Sequence, residues 1–371
     1  MVAMTPTDDA RFMALALALG QRGLGRTWPN PAVGAVIVRN DGAGPVIVGR
    51  GWTQPGGRPH AETEALQRAG EAARGATLYV TLEPCSHHGK TPPCADAIVA
   101  AGIARVVSAM VDPNPEVSGA GHWRMAEAGV VVEVGVGAQE AARAHAGHIR
   151  RVRDGRPHVL LKLAVSADAK AGLVGRRPIP ITGEPARARV HALRAMSDAV
   201  LTGIGTALAD DPLLTCRLPG MAECSPVRVV LDSALRLPLY SRLVATIQDA
   251  PLWVMSGGPG EREGALQQRG AEVLRVASGG RRLDLPTVLK VLAERGITRL
   301  MVEAGPTLAA AFLEADLVDE AILLRASVTI GEKGIDALEG LPLETLTRSP
   351  RLALSGSEVV GVDILEHYER R

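Results

Sequence analysis

Apolar positions recur along the chain with two different periods, and the changes between them predict its elements. Residues 8–23, DDARFMALALALGQRG, and 60–73, HAETEALQRAGEAA, repeat at helical spacing, as does CADAIVAAG at 94–102. Short apolar runs, PAVGAVIV at 31–38, ATLYVTL at 76–82 and ARVVSAM at 104–110, are predicted strands. The second half begins again with the strand HVLLKLAVS at 158–166 and a long helical stretch, PARARVHALRAMSDAV, at 185–200. The strands VRVVLD (227–232), PLWVMS (251–256) and AEVLRV (271–276) follow. The helix DLPTVLKVLAERG (284–296), the strand RLMVEA (299–304) and the helix GPTLAAAFLEAD (305–316) complete the pattern. Strand and helix alternate in both halves, which predicts an α/β protein with two sheets, the second mostly parallel. The Arg- and Ala-rich residues 137–157 separate the halves and are the candidate linker. The expected domains are therefore 1–150 and 151–371.

Composition narrows the partners. The 371 residues carry a formal net charge of +1, with 46% hydrophobic, 22% charged and 2% aromatic residues. That balance supports two cores and offers neither a phosphate-neutralising surface nor base-stacking rings, so nucleic acid is not an expected partner. No apolar run is long enough to span a bilayer, and MVAMTPTDDARF lacks a basic stretch followed by an apolar core, so a cytoplasmic protein without a membrane partner is expected. Cys216 and Cys224, in TCRLPGMAEC, have no nearby His and read as free thiols.

Cys85 and Cys94 read differently. They close TLEPCSHHGKTPPC (81–94), and upstream RPHAETEAL (58–66) places His60 and Glu62 two positions apart at a predicted helix start. Pro59 suits a first helical turn, and Pro93 sets up a second helix at Cys94. Two such strand-to-helix junctions on one sheet edge bring His60, Cys85 and Cys94 together. One imidazole and two thiolates suit Zn²⁺, one per chain, and leave a fourth position for water. Zinc lowers the pKa of bound water from about 15.7 to about 7, and Glu62, not needed as a ligand, is the candidate proton carrier. Zinc deaminases carry this H-x-E then P-C pattern. The competing reading is a closed structural zinc site, which needs a fourth ligand from His87 or His88.

These residues, with WPNPAVGAVIV (28–38) and DPNPEVSGAG (112–121), resemble the deaminase half of the bifunctional riboflavin-biosynthesis deaminase/reductases. KLAVSADAK (162–170), ALADDPLLTCR (207–217) and VEAGPTLAAAFL (302–313) resemble the reductase half. The eight residues between Cys85 and Cys94 sharpen the match, because most zinc deaminases keep two there. The resemblance implies a cytidine-deaminase-like N-terminal domain and a dihydrofolate-reductase-like C-terminal domain. It also implies two reactions on one pyrimidine ribose phosphate: loss of the 2-amino group as ammonia, then NADPH-dependent reduction of ribosyl to ribityl.

Carried onto this sequence, the resemblance makes Asn30, His87 and Lys90 substrate contacts in the first half. Lys162, Arg194, Leu214, Arg217 and Glu303 would hold substrate in the second, the arginines suiting its phosphate. Ala164, Thr206, Asp210, Ser233 and the run Gly305, Pro306, Thr307, Leu308, Ala309, Ala310, Ala311 would meet NADPH. No GxGxxG fingerprint is evident, and the helix start at Gly305 would instead offer backbone N–H groups to the cofactor phosphates. Two departures stand out: Ala169 replaces the family's Gly in S-x-D-G-K/R, predicting an altered turn, and Pro178 and Pro180 replace residues able to touch substrate or cofactor. The alternatives are a deaminase with a non-catalytic second domain, a nucleic-acid deaminase and a non-enzymatic zinc-stabilised module. Besides the small-molecule substrate, a second copy of the chain in a homo-oligomer is compatible with the sequence.

Overall fold

The computed structural model describes residues 4–87, 92–115, 117–175, 179–276, 278–279 and 282–371. The chain divides into two compact units, Met1–Gly155 and Arg156–Arg371. The first runs α1 (Pro6–Gln21), β1 (Gly34–Asn40), β2 (Pro45–Trp52), α2 (Ala61–Ala69), β3 (Thr77–Val80) and α3 (Cys94–Ala100). It continues with β4 (Arg105–Ser108), α4 (Ala120–Glu127), β5 (Val131–Val134), α5 (Ala138–Ala144) and α6 (Ala146–Asp154).

The five strands lie in the order β2-β1-β3-β4-β5. Antiparallel pairing of β1 with both β2 and β3, and parallel pairing onward to β4 and β5, sends four carboxyl ends and the start of β1 to one edge. The period of two sorts side chains to opposite faces. Ala35, Ile37, Leu78, Val80 and Val106 join Ala61, Ala65 and Ile98 from α2 and α3 on one side. Val36, Val38, Tyr79 and Val107 join Phe12, Met13 and Ala141 from α1 and α5 on the other. At the foot of the sheet, buried Asp9 accepts both guanidinium ends of Arg105 at 2.8 and 2.7 Å and the Tyr79 hydroxyl at 2.7 Å.

The candidate linker, within which the two units divide, is mostly helical. Residues 138–154 form α5 and α6 of the first unit, because Ala141 seats in the α1 core and the His145 ring donates or accepts at the Thr81 hydroxyl, 3.1 Å away. Strand β2 was also missed. Its Gly49 and Gly51 break the hydrophobic alternation because α2 crosses directly over them: a Cβ at Gly51 would lie 2.2 Å from the Ala61 carbonyl oxygen.

The second unit runs β6 (His158–Val165), β7 (Lys170–Leu173), α7 (Glu184–Ala195), β8 (Ala199–Gly203), α8 (Ile204–Asp210), β9 (Val227–Leu231) and α9 (Arg242–Ala245). Then come β10 (Leu252–Ser256), α10 (Glu263–Gln268), β11 (Glu272–Arg275), β12 (Ser278–Gly279), β13 (Arg282–Leu283), α11 (Leu285–Glu294) and β14 (Arg299–Glu303). The last elements are α12 (Pro306–Glu314), β15 (Glu320–Arg325), β16 (Gly334–Asp336), α13 (Glu344–Thr347), β17 (Leu352–Val360) and β18 (Asp363–Arg370).

Nine strands form one sheet, β11-β10-β9-β8-β14-β6-β15-β18-β17. The first seven are parallel, and the β17–β18 hairpin closes one edge antiparallel to β15. The helix expected over 185–200 ends at Ala195, and Ala199 and Val200 open the central strand β8. Buried Asp198 forces the break: its carboxylate accepts the Thr298 and Arg299 N–H groups at 2.7 and 2.9 Å, tying the chain to the start of β14. The turn expected to differ at Ala169 carries a left-handed residue. Ala169 takes φ 60°, and the Ser166 N–H donates to the Lys170 carbonyl at 2.9 Å. Pro178 lies outside the described residues; Pro180 sits in an exposed, irregular segment before α7. Among the described residues no helix is long and apolar enough to cross a membrane.

Candidate active sites

Strand direction assembles the first site. His60 is the N-cap of α2, Cys85 follows β3, and Cys94 opens α3, all at the edge where β1 begins. Pro59 therefore lies before the N-cap, outside the first turn where the sequence placed it. His60 Nδ1 is 3.7 Å from Cys85 Sγ and 3.3 Å from Cys94 Sγ, and the three donor atoms all fall within 4.8 Å. Zn–S and Zn–N bonds of about 2.3 and 2.05 Å at a tetrahedral angle give an N···S edge of about 3.6 Å. The observed pair brackets that value, so the donor set suits zinc. The ring's other nitrogen, Nε2, faces Asn30 Nδ2 at 3.5 Å, and Asn30 is held by donating to the Gly57 carbonyl at 2.8 Å.

Electrostatics suit the same reading. Cys85 is drawn down to about 4, first by its hydrogen bond with Cys94, against its own burial, while Cys94 is pushed up. Burial raises Glu62 to about 7, opposed by the charge of His60. Glu62 is 4% exposed in the first turn of α2, its carboxyl held near neutrality beside the donor set. His87 is exposed in the loop after Cys85; Lys90 and His88 lie outside the described residues.

Sequence reasoning missed Glu83, in the same TLEPC run. Its buried carboxylate accepts from the N–H groups of Gly121 (2.8 Å), Gly119 (2.9 Å) and Asp112 (3.0 Å). It thus caps the start of α4 and pins the loop leading to Cys85. Gly121 is needed there, since a Cβ would sit 2.0 Å from the Pro84 carbonyl oxygen. Only a tertiary contact reveals this role; no local pattern does.

In the second unit two joined clefts, about 1120 and 920 Å³, open at the carboxyl ends of β6, β8, β9 and β14 and share Gly205, Thr206 and Gly305. The crossing from β6 to β8 passes over β14, the kind of strand-order reversal at which α/β sheets bind ligands. The larger cleft is lined by Lys162, Ala164, Arg194, Asp210, Leu214, Glu303 and Pro306, and the smaller by Ser233, Thr307, Leu308 and Ala311. Most of the expected reductase residues therefore converge. Arg217 is exposed and lines neither cleft. Ala309 and Ala310 are buried, because the helical period turns them from the cleft into the core.

Charge is arranged differently from the expectation. Arg194 meets Glu303 with two parallel bonds of 2.5 and 2.9 Å and donates to the Thr215 carbonyl at 3.0 Å. Its fork is committed to a carboxylate, which leaves it a weaker candidate for the phosphate. Lys162 lies level with Glu303 on the neighbouring strand, and burial draws its pKa down against the charges of Glu303 and Asp210. At the start of α12 the Gly305 N–H donates to Thr206 Oγ1 at 3.0 Å and the Leu308 N–H to the Gly305 carbonyl, so neither faces a cofactor phosphate. The glycine-rich turn lies instead at Gly203-Ile204-Gly205-Thr206 after β8, lining the smaller cleft and concealed in the sequence by the missed strand.

Residues 6–110 match the cytidine and deoxycytidylate deaminase zinc-binding region, and residues 157–365 match the RibD C-terminal domain. The riboflavin biosynthesis protein RibD of Escherichia coli is 42% identical, covering 97% of this chain and 99% of its own length. That of Aquifex aeolicus is 39% identical, with 98% of each chain covered. The chain belongs to the RibD family. Among solved structures, Acinetobacter baumannii RibD superposes with a TM-score of 0.88 at 36% identity, covering 99% of this chain and 100% of that one. The Thermotoga maritima diaminohydroxyphosphoribosylaminopyrimidine deaminase/5-amino-6-(5-phosphoribosylamino)uracil reductase gives 0.83 at 35%, covering 98% and 99%. As a RibD family member the chain is a bifunctional enzyme of riboflavin biosynthesis, with a zinc-binding deaminase domain and an NADPH-using reductase domain.

Proposed function

We propose that residues 1–150 hydrolytically deaminate 2,5-diamino-6-ribosylamino-4(3H)-pyrimidinone 5′-phosphate, and that residues 151–371 then reduce the product's ribosyl group with NADPH. The final product is 5-amino-6-ribitylamino-uracil 5′-phosphate. The observation that carries the first step is the buried Glu62 beside the His60, Cys85 and Cys94 donor set. Zinc held by those three donors would supply an acidified water. Glu62 takes its proton and delivers it towards the departing amine, which leaves as ammonia while the ring carbon gains oxygen. Asn30, fixed by the Gly57 carbonyl, orients the pyrimidine edge, and His87 and Lys90 meet the substrate from the loop between the cysteines.

In the second unit the carboxylate of Glu303, locked by Arg194, and the amine of Lys162 meet the sugar in the larger cleft. Leu214 supplies its apolar wall, and Arg217, at the exposed end of the same loop, is left to take the phosphate. Ala164, Thr206, Asp210, Ser233 and the exposed side of α12 line the path of NADPH. A cytoplasmic, reducing setting belongs to this reading, because Cys85 and Cys94 serve as thiolates. Self-association is part of it too, supported by the unpaired edge of β17, where Leu354 and Val359 are exposed, and is read by sedimentation velocity.

Glu62→Gln tests the central assignment. It keeps zinc, measured by elemental analysis, and lowers ammonia release by about 10² to 10⁴-fold, the usual worth of a positioned acid–base group. Unchanged ammonia release with zinc still bound sinks the proposal.

A further inference from the structure

The loop after α8, residues 211–217, carries two of the expected substrate contacts, Leu214 and Arg217, and has no regular structure. It is bent against its own preference, since Asp211 and Leu214 take left-handed φ values of 40° and 55°. Such backbone disfavours any residue with a Cβ, so the loop keeps this shape only where its surroundings hold it. Leu214 is buried in it, and Arg217 stands exposed at its end.

Several bonds do the holding. The Arg242 N–H donates to Asp211 Oδ1 at 2.8 Å, and the Cys216 N–H to Ser225 Oγ at 3.1 Å. Between these points lies the Thr215 carbonyl. Two side chains of α7, three positions apart and so on one face, meet it: His191 through Nδ1 at 3.1 Å and Arg194 through Nη1 at 3.0 Å. Two donors fill the two lone pairs of that oxygen. Arg194 also holds Glu303, so one patch of α7 joins the sugar-facing carboxylate to the loop.

His191 Nδ1 has a second neighbour, the Arg217 N–H, at 3.4 Å. The two contacts need opposite tautomers: a protonated Nδ1 donates to Thr215, and a bare one accepts from Arg217. The shorter contact favours the protonated Nδ1. Burial, then the charges of Arg194 and Arg217, lowers the His191 pKa and keeps the ring neutral at pH 7. Arg217 in turn is drawn below the usual arginine range by burial and by the charges of Arg194 and Arg242, surroundings that suit an incoming dianion. We infer that His191 is a positioning residue of the reductase half: by fixing the Thr215 carbonyl it aims Arg217 at the 5′-phosphate and sets how strongly the enzyme prefers a phosphorylated substrate. The inference rests on the reading of Arg217 as the phosphate partner.

Steady-state reduction of the deaminated ribosylaminouracil, with and without its 5′-phosphate, tests it. A neutral hydrogen bond is worth about threefold to tenfold in affinity. His191→Leu raises KM for the phosphorylated substrate by about that factor, and leaves kcat, and KM for the dephosphorylated substrate, within about twofold. His191→Asn, whose amide nitrogen stands where Nδ1 stood, recovers most of the loss. Arg217→Gln removes the preference for phosphate, and adding His191→Leu to it costs nothing further. NADPH affinity by calorimetry stays within about twofold in every variant, which shows that the second unit is folded. Equal loss with both substrates, no loss with either, or failure of Asn to rescue overturns the role of His191. No preference for phosphate in the unaltered chain, or an unchanged preference in Arg217→Gln, overturns the reading of Arg217 itself.

Discussion

Replacing Gly121 with alanine separates the two activities by moving a single atom. Gly121 is in the first turn of α4, and the added Cβ would fall 2.0 Å from the Pro84 carbonyl oxygen, with Glu83 Oε1 at 3.2 Å. Side-chain carbons do not approach an oxygen closer than 3.0 Å, so the Pro84 carbonyl or the helix moves by about 1 Å. Pro84 precedes Cys85, and a metal donor tolerates only about 0.2 Å of error. A shift of about 1 Å at a catalytic group costs about a hundredfold in rate. Gly121→Ala therefore loses ammonia release by about two orders of magnitude, with zinc content reduced. Reduction of the deaminated product, supplied directly with NADPH, stays at its original rate and certifies folding of the second unit. Normal zinc content together with ammonia release within about threefold of the original would refute the idea that α4 fixes the Cys85 loop.

Ala169→Gly raises the stability of the second unit by about 1 kcal/mol, or about 2 to 4 °C in Tm by calorimetry, because Ala169 holds a left-handed φ of 60°. Ala171→Gly, two positions on in β7, lowers it instead, and equal responses would remove the strain argument. Burial, aided by the charge of His148, draws His145 down to about 4, so the folded first unit keeps it neutral where the unfolded chain, near 6.5, takes up a proton. Its contribution is complete above about pH 6.5 and falls by about 3 kcal/mol as the pH drops towards 4. Urea midpoints at a series of pH values measure this, and His145→Gln flattens the curve.

The zinc donors and Glu62 were legible because their signal is local: His60, Glu62 and Cys94 sit at helix starts, Cys85 follows a strand, and Pro59, Pro84 and Pro93 stand beside the three donors. Fixed spacing carries that information without knowledge of the fold. Strand β8 was hidden because a buried parallel strand is a plain apolar run, continuous here with the preceding helix, and what ends the helix is Asp198 reaching Thr298, a hundred residues away. β2 was hidden by Gly49 and Gly51, whose missing side chains record the passage of α2. The expected reductase residues Lys162, in β6, Glu303, at the end of β14, and Gly305, at the start of α12, line the larger cleft together. What the sequence withheld were the pairings: Arg194 turned to Glu303, Glu83 to the start of α4, Gly305 to Thr206.

Glu83 has one further consequence. The Cys85 side of the metal site is fastened to α4, and the Cys94 side is fastened by its own helix, α3, so the two sulfur donors do not depend on the residues between them for their positions. The interval SHHGKTPP thus has both of its ends set from outside it. Its length and composition can drift under selection for a new pyrimidine without dismantling the hydrolytic machinery, which makes it the natural place for a family built on this scaffold to change its diet.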